Sequence, residues 1–316
     1  EQAFGIGLPE QLFANAETPR ELLRLVLTAI PGSDEVHLPE QLAPEPCVEV
    51  GIPHGAKTLV EVLRWHSETH GARTHMYLYG EEEEPDEICY RDLLQGAERV
   101  AAALQELGLM PGHGVAIMLP TCTEYLLTFF AILMAGGIPV PIYPPARLSQ
   151  IEEHLQRHAR ILENACTTLL ITVPEAKPVA RLLRTRVADL KQIITPGELH
   201  QYEEAVFNPP RVKPDDIAFL QYTSGSTGNP KGVMLTNSNL LANIRAMGET
   251  ARVNSSDVFV SWLPLYHDMG LIGAWLGTLY YACPLVLMSP LAFLSRPHRW
   301  LWAIHKHRGT LSAAPN

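Results

Sequence analysis

Between residues 58 and 172, hydrophobic patterns typical of helices and of strands alternate along the chain. Each stretch with apolar residues at helical spacing is followed by a short, continuous apolar run, which is typical of a strand buried on both faces. Strands that alternate with crossover helices predict an α/β fold with a largely parallel sheet covered on both faces. The predicted helices lie at residues 92–107, at 123–135 and from Ser149 onward, and the predicted strands lie at 115–119, 138–143 and 168–172.

The second half of the chain continues this pattern around two polar loops. Apolar runs predict strands at residues 216–222, 231–235, 258–262 and 285–288, and a buried helix at 271–281. Thr236 is expected to cap the helix that follows the second of these strands, because a threonine side chain can accept a hydrogen bond from the first helical turn. One polar loop therefore lies between two strands, and the other lies between a strand and a helix.

The first 56 residues show a different pattern. Residues 1–30 form a short amphipathic helical segment, and segments of this length rarely fold alone. Residues 31–56 contain five prolines without sustained periodicity, which indicates a linker. We therefore place the main domain at residues 57–316.

Composition narrows the class of protein. The 316 residues are 47% hydrophobic and carry a net charge of −10, which indicates a globular chain and argues against nucleic acid or an anionic membrane as the main partner. Five scattered cysteines without a CxxC pair indicate reduced thiols and a cytoplasmic location. No charged residue occurs between 269 and 295, but Pro284 and Pro290 interrupt this stretch, so we expect no transmembrane segment.

The most informative stretch is YTSGSTGNPKGVML, residues 222–235. Glycines let backbone N–H groups approach an anion, hydroxyl groups add donors, and a lysine adds positive charge. The spacing differs from a Walker loop, since Lys231 follows Pro230 and precedes Gly232. We interpret the stretch as a polyphosphate-binding loop, with a flexible Gly/Ser hairpin as the alternative. The candidate phosphate-binding residues are Thr223, Ser224, Gly225, Ser226, Thr227, Gly228 and Lys231.

A second polar interruption occurs in LPLYHDMG, residues 263–270. Its polar pair is His267 and Asp268. A lone histidine among apolar residues is usually a hydrogen-bonded core residue, but beside a phosphate loop it becomes a candidate site residue. Consecutive carboxylates at residues 81–84 are more typical of a solvated turn than of a metal site, and we assign no metal ligand.

These two segments, together with YPPARLSQIEEHLQRH at residues 143–158, resemble the adenylate-forming enzymes and, among them, most closely the fatty acyl-AMP ligases. The resemblance extends from about residue 58 to residue 316. It implies mixed, largely parallel sheets flanked by helices, as in the large N-terminal domain of those enzymes, incomplete at its C-terminus. It also implies ATP and Mg²⁺ as cofactors and a fatty acid as substrate.

The resemblance assigns roles to particular residues. In that family the residue that corresponds to His267 lies where the acyl pocket meets the nucleotide, and the lysine that corresponds to Lys231 lies in the phosphate loop. His267 and Lys231 are therefore the implied catalytic residues. One departure is Asn237, where many members carry a histidine after the threonine. The implied substrate-pocket residues are Tyr266, His267, Asp268, Met269, Gly270, Pro315 and Asn316.

The implied reaction joins a fatty acid carboxylate to the α-phosphorus of ATP, releases pyrophosphate, and passes the acyl group to phosphopantetheine on an acyl carrier protein, in cis or in trans. Residues 1–30 resemble the C-terminal half of such a carrier, whose modified serine would precede Glu1. The family's adenine contacts, acidic magnesium ligand, hinge and catalytic lysine would lie beyond Asn316. We therefore expect this chain alone to bind nucleotide weakly and to be inactive.

Three alternatives stay open at this point. An acyl-CoA synthetase would share the loop and differ in its acceptor. A peptide-synthetase adenylation domain is disfavoured, because the stretch from 269 to 295 lacks a charge suited to the ammonium group of an amino acid. A module that binds an acyl group or a nucleotide without catalysis is the third.

Overall fold

The computed structural model describes residues 50–80, 82, 84–143, 151–223 and 230–314. The carrier-like segment at residues 1–30, most of the linker at 31–56, and the helix start at Ser149 lie outside these ranges. Within them, the predicted alternation of helices and strands is confirmed, and the sheets are mixed and largely parallel as expected.

The described chain opens with a helix and two paired strands. Helix α1 spans Leu59–His70, strand β1 spans Thr74–Tyr79 and strand β2 spans Asp86–Cys89. Thr58 caps α1, because its side chain accepts a hydrogen bond from the N–H of Glu61. Strands β1 and β2 are antiparallel.

A four-stranded parallel sheet follows, with the strand order β4-β3-β5-β6. Continuous apolar runs form its strands because both faces are covered by helices. Its strands are β3 (Gly114–Met118), β4 (Ile138–Pro141), β5 (Thr167–Thr172) and β6 (Gln192–Ile194). The accompanying helices are α2 (Tyr90–Glu106), α3 (Thr123–Met134), α4 (Ile151–Asn164), α5 (Lys177–Arg184) and α6 (Pro196–Leu199), with 3₁₀ turns at Pro174–Ala176 and His200–Tyr202.

An antiparallel pair of strands flanks the predicted phosphate loop. Strand β7 spans Ile217–Thr223 and strand β8 spans Lys231–Thr236, and Thr223 pairs with Lys231 at the end next to the loop. Helix α7, Asn237–Ala251, follows at once. The predicted cap is confirmed, since the side chain of Thr236 accepts a hydrogen bond from the N–H of Asn239.

The last part of the described chain completes a five-stranded sheet with the order β11-β9-β10-β1-β2, parallel except for β2. The predicted helix at 271–281 starts earlier, at Met269, and its first eight residues are a π-helix. It starts there because the side chain of Asp268 accepts the N–H of Met269. The elements are β9 (Phe259–Ser261), the π-helix Met269–Leu276, α8 (Gly277–Tyr281), β10 (Leu285–Met288), α9 (Pro290–Ser295), α10 (His298–Lys306) and β11 (Leu311–Ser312).

The main hydrophobic core joins the two larger sheets and the strand pair. Trp275 of the π-helix is fully buried against Phe129 of α3, with ring centroids 5.3 Å apart, and Phe129 also contacts Phe219 of β7 at 5.8 Å. The uncharged stretch after residue 269 therefore supplies core residues. Among the described helices, none combines the length and apolar character that crossing a bilayer requires.

Candidate active site

A cavity of about 260 Å³ lies where strands β4 and β7 end. Helix α4 and the loop that follows β9 complete its walls. Ligands of open α/β sheets bind outside the carboxyl ends of the strands, and this cavity occupies that position. Its described walls are formed by Pro141, Ile142, Tyr143, Arg157, His158, Ile161, Gln221, Tyr222, Thr223, Tyr266, His267 and Asp268.

His267 and Asp268 are in direct side-chain contact at the cavity. The Nδ1 atom of His267 lies 2.6 Å from Oδ1 of Asp268, and both side chains are about two-thirds exposed, at 67% and 64%. The same carboxylate oxygen accepts the N–H of Met269 at 2.7 Å. A carboxylate can only accept, so the His267 ring carries its proton on Nδ1 and its Nε2 remains available to a ligand.

Two hydrogen bonds fix the backbone next to His267. The Nε2 of Gln221 donates to the carbonyl of Tyr266 at 2.8 Å, and the hydroxyl of Tyr125 donates to the carbonyl of Leu265 at 2.9 Å. Gln221 lies on strand β7 and Tyr125 lies on helix α3. One strand and one helix therefore hold this loop. The geometry of His267 is therefore set by residues remote in sequence.

Gly270 is required by a close backbone approach. A Cβ atom at this position would lie 2.2 Å from the carbonyl oxygen of Pro264, a distance that no side chain tolerates. Gly273 differs, since a Cβ there would meet only the flexible side chain of Met269, with its Sδ atom at 2.9 Å. The turn from Pro264 into the π-helix therefore depends on the glycine in LPLYHDMG.

The two strands that flank the predicted phosphate loop pair with each other, and β7 is also bonded to helix α4. Thr223 and Lys231 face each other across the pair, and Lys231 is exposed. The hydroxyl of Tyr222 donates to Oδ1 of Asn164 at 2.6 Å, and burial raises the pKa of Tyr222 to about 12. The loop thus starts and ends on a fixed base beside the cavity. Ser224, Gly225, Ser226, Thr227 and Gly228 lie outside the described residues.

The structure brings four of the predicted residues to one cavity. Thr223, Tyr266, His267 and Asp268 all line it. Lys231 is the partner of Thr223 on the neighbouring strand. Met269 is half-exposed and Gly270 is buried, and neither belongs to the described wall. Pro315 and Asn316 lie outside the described residues.

Sequence reasoning missed the residues that α4 and β4 contribute to the wall. The ring of Tyr143 lies 4.6 Å from that of His158 and 5.9 Å from that of Tyr266, and the Arg157 guanidinium lies 5.9 Å from the Tyr143 ring centroid. The signal was present in YPPARLSQIEEHLQRH, which starts at Tyr143 and ends at His158. Nothing in its periodicity distinguishes a helix face against a cavity from one against the core.

Two further expectations concern metal and Asn237. Across the ranges that the structure describes, no group of three or more histidine, cysteine, aspartate or glutamate side chains is arranged to hold a metal ion. Asn237 is buried, and its Oδ1 accepts the N–H of Leu59 at 3.0 Å. The residue that replaces histidine therefore has a structural contact, at the start of α1.

Comparison with known proteins decides the family. Residues 63–316 match the family described as AMP-binding enzyme. The chain belongs to this family of adenylate-forming enzymes. The match begins within α1 and includes both the predicted phosphate loop and the His267 loop.

The relatives of this chain include ligases that act on fatty acids and adenylyltransferases that act on 4-hydroxyphenylalkanoates. It is 30% identical to the medium-chain-fatty-acid–[acyl-carrier-protein] ligase TtuA of Teredinibacter turnerae, over 82% of this chain and 46% of TtuA. It is 32% identical to the long-chain-fatty-acid–AMP ligase FadD32 of Mycolicibacterium smegmatis, over 85% of this chain and 43% of FadD32. The chain therefore spans about half the length of the curated relatives it matches.

A solved structure agrees with the fold. A chain from a study of fatty acyl-adenylate ligases of E. coli and L. pneumophila superposes with a TM-score of 0.76 at 32% identity, covering 82% of this chain and 46% of that one. The mixed α/β architecture of this AMP-binding chain is thus the one found in the N-terminal part of adenylate-forming enzymes.

Proposed function

We propose that the protein containing this chain is a fatty acyl-AMP ligase, which activates a fatty acid carboxylate with ATP. The observation that carries the proposal is the meeting of Thr223, at the start of the phosphate loop, with His267 and Asp268 on one cavity. Relatives that ligate fatty acids to AMP or to acyl carrier protein support the same class of substrate.

In the proposed reaction, a carboxylate oxygen of the acid bonds to the α-phosphorus of ATP while the bond from that phosphorus to the bridging oxygen breaks. Pyrophosphate leaves with the electron pair, and an acyl-adenylate remains. Acid and triphosphate are both anions, so the protein must neutralise charge and align the two reactants. Lys231 would supply positive charge at the loop, and the loop hydroxyls and N–H groups would hold the β- and γ-phosphates.

His267 would orient the acid. Asp268 holds its Nδ1 side, so its Nε2 is the ring nitrogen that can contact the carboxylate where it meets the nucleotide. The bond from Gln221 to the Tyr266 carbonyl keeps this loop in place while the reactants bind. Two reactants held in line in this way react faster, because the entropy cost of aligning them is already met on binding.

Mg²⁺ is proposed as the companion of ATP, and the described wall does not form a site for it. Asp268 is the one carboxylate on that described wall, and it already contacts His267 and the N–H of Met269. Mg²⁺ at nucleotide sites is commonly held by phosphates with one or two carboxylates. When bound, it would neutralise phosphate charge; we assign it no ligand in this chain.

The acceptor is proposed to be phosphopantetheine on an acyl carrier protein, in cis or in trans, as the name of TtuA indicates for that relative. A cytoplasmic location is proposed with it, on the reduced-thiol reading of the cysteines. Transfer of the acyl group to coenzyme A instead would make the protein an acyl-CoA synthetase.

The test is pyrophosphate release by the full-length protein with ATP, Mg²⁺ and a panel of carboxylic acids, with either a phosphopantetheinylated carrier or coenzyme A. We expect release that depends on the acid, and acyl transfer to the carrier. Lys231→Ala should lower kcat/KM for ATP by about 100-fold, the usual scale for losing one group that stabilises developing charge. Lys191→Ala is the matched control: Lys191 is exposed and precedes β6, at the opposite end of the parallel sheet. Equal rates for both variants would contradict the assignment of Lys231, and no release with any acid would contradict the proposed function.

A further inference from the structure

The ring of Tyr222 lies against the neighbouring strand at Gly232. The two residues are partners in the antiparallel pair of β7 and β8. A Cβ atom at position 232 would lie 2.9 Å from Cζ and 3.0 Å from the hydroxyl oxygen of Tyr222, which is closer than side-chain atoms normally pack. A glycine within a strand often marks a place where another group approaches closely. The tyrosine ring therefore lies in the space that a side chain at position 232 would need.

The far end of the same ring is tied to helix α4. The hydroxyl of Tyr222 donates to Oδ1 of Asn164, the last residue of α4, at 2.6 Å. Burial, with the neighbouring Cys166 thiol, raises the pKa of Tyr222 to about 12, so the hydroxyl keeps its proton near pH 7 and stays a donor. The ring also packs against a hydrophobic cluster formed by the parallel sheet, α4 and α5. The orientation of Tyr222 is therefore set from outside the strand pair.

The start of strand β8, which carries Lys231, is exposed to solvent. All four residues from 231 to 234 are exposed. In the described sheets β8 pairs only with β7, and a two-stranded pair without further packing is at most marginally stable in water. The position of Lys231 therefore depends on its pairing with Thr223 and on the ring that lies against the next residue, Gly232.

We propose that Tyr222 and Asn164 position Lys231 for the phosphates of ATP. The Tyr222 ring, held at its hydroxyl by Asn164, keeps the start of β8 in place, so that Lys231 stays opposite Thr223 on the cavity wall. A lysine held in this way meets the phosphates without first losing freedom of motion. This inference rests on the proposed function and adds to it a residue of α4 that lies 58 positions before Tyr222.

The first test removes the hydrogen bond from either side. Tyr222→Phe keeps the ring and loses the hydroxyl, and Asn164→Ala loses the acceptor. Each should lower kcat/KM for ATP by about fivefold in pyrophosphate release by the full-length protein at saturating fatty acid, on the scale of one hydrogen bond. The double variant should also lose about fivefold, and not the product of the two losses, because both changes remove the same bond.

The second test asks whether Tyr222 acts through Lys231. In a Lys231→Ala background, Tyr222→Phe should change kcat/KM for ATP by less than about twofold, because the group that it positions is gone. A tyrosine that only stabilised the fold would lower activity equally in both backgrounds. Gly232→Ala places a methyl group where the ring lies, and it should lower kcat/KM for ATP by at least as much as Tyr222→Phe.

Tyr281→Phe is the matched control. It also removes one tyrosine hydroxyl bond, to the carbonyl of Arg245 at 3.0 Å, and Tyr281 is absent from the described cavity wall. It should keep kcat/KM for ATP within about twofold of the wild type, since surroundings remote from the site do not act on Lys231. Thermal unfolding confirms that each variant is folded before the rates are compared.

Several results would overturn the inference while leaving acid activation intact. They are an unchanged kcat/KM for ATP in Tyr222→Phe or in Gly232→Ala, losses that multiply in the double variant, and a full loss from Tyr222→Phe in the Lys231→Ala background. A change confined to kcat/KM for the acid would show that the ring serves the acid instead, and it would also overturn the inference. Absence of release by the wild-type protein with every acid would refute the proposed function instead.

Discussion

Two buried histidine clusters in this molecule look alike at first and differ in one respect. Near α1, the rings of His66 and His75 both stack on Tyr90, at 4.8 Å and 4.9 Å, while on α4 His154 stacks on His158 at 3.8 Å. In both clusters burial lowers the histidine pKa values, to about 3 for His66, His75 and His158.

The surroundings separate the two clusters. The α1 cluster packs within the main hydrophobic core, to which Tyr90 belongs, whereas His158 forms part of a cavity wall beside His267. Depressed pKa values and unpaired nitrogen atoms occur in both, so those properties alone do not indicate a binding site. The adjoining cavity is what distinguishes His158 from the core histidines.

The largest expected effect is acid destabilisation through the α1 cluster. His66 faces His70 and Arg73, and His75 faces His66, so there is no carboxylate among the groups that set these pKa values. Because their folded pKa values lie below 6.5, the unfolded chain takes up protons first, and stability is lost as the pH falls below about 6.5. At pH 5 the two histidines together should cost about 4 kcal/mol of unfolding free energy.

Urea unfolding at pH 7.5 and at pH 5 measures this loss. An unfolding free energy that stays the same between these pH values would contradict the assignment of neutral, buried histidines to the folded state. A His75→Phe variant should lose about 2 kcal/mol less between the two pH values than the wild type, because His66, His154, His158 and His307, whose pKa values burial also lowers, keep their contributions.

A smaller effect is expected from His75→Phe at neutral pH. Neither ring nitrogen of His75 has a hydrogen-bond partner among the described residues, so an apolar ring of similar shape should raise the unfolding free energy by about 1–3 kcal/mol. His66→Phe is the matched control, because its nitrogens contact Nε2 of His70 at 2.7 Å and the carbonyl of Tyr280 at 3.2 Å. It should destabilise the protein. Equal signs for the two variants in urea unfolding would show that hydrogen bonding does not distinguish these rings.

The smallest effect on stability is expected from a substitution of Gln221, which lies on the cavity wall. Gln221→Leu removes the donor to the Tyr266 carbonyl and should cost about 1 kcal/mol of stability, but it should also lower kcat by releasing the His267 loop. Gln105→Leu removes two side-chain hydrogen bonds with the backbone of Asn208, at 2.7 Å to its carbonyl and 3.0 Å from its N–H, and Gln105 is absent from the described cavity wall.

Thermal unfolding and pyrophosphate release, measured side by side, separate the two glutamines. Both variants should lose similar stability, while only Gln221→Leu loses activity. A similar fall in kcat for both would mean that the Tyr266 bond has no special part in positioning His267.

Much of this fold follows from local pattern. The helix predicted at 123–135 is observed as Thr123–Met134, and the strand predicted at 285–288 is observed at those bounds, because a buried helix and a buried strand each leave a strong run of apolar residues. The Thr236 cap was equally readable, since capping is a contact between residues three positions apart.

Contacts between distant segments were not readable in this way. The bond from Gln221 reaches a loop 45 residues away, and the bond from Tyr125 to the Leu265 carbonyl spans 140 residues. The cavity itself arises from four separate segments, so Arg157 and His158 looked like any other residues of an amphipathic helix. The two polar loops could be predicted from the sequence, but the part of the cavity wall that α4 contributes could be identified only from the fold.

The side chain of Asn237 has a consequence for folding. It accepts the N–H of Leu59, the first residue of α1, across 178 positions of sequence. During synthesis, the residues of the first turn of α1 are therefore translated long before Asn237, whose side chain accepts the N–H of Leu59. Contacts of such long sequence separation form slowly, so the start of α1 should be among the last parts of the domain to gain protection from hydrogen exchange.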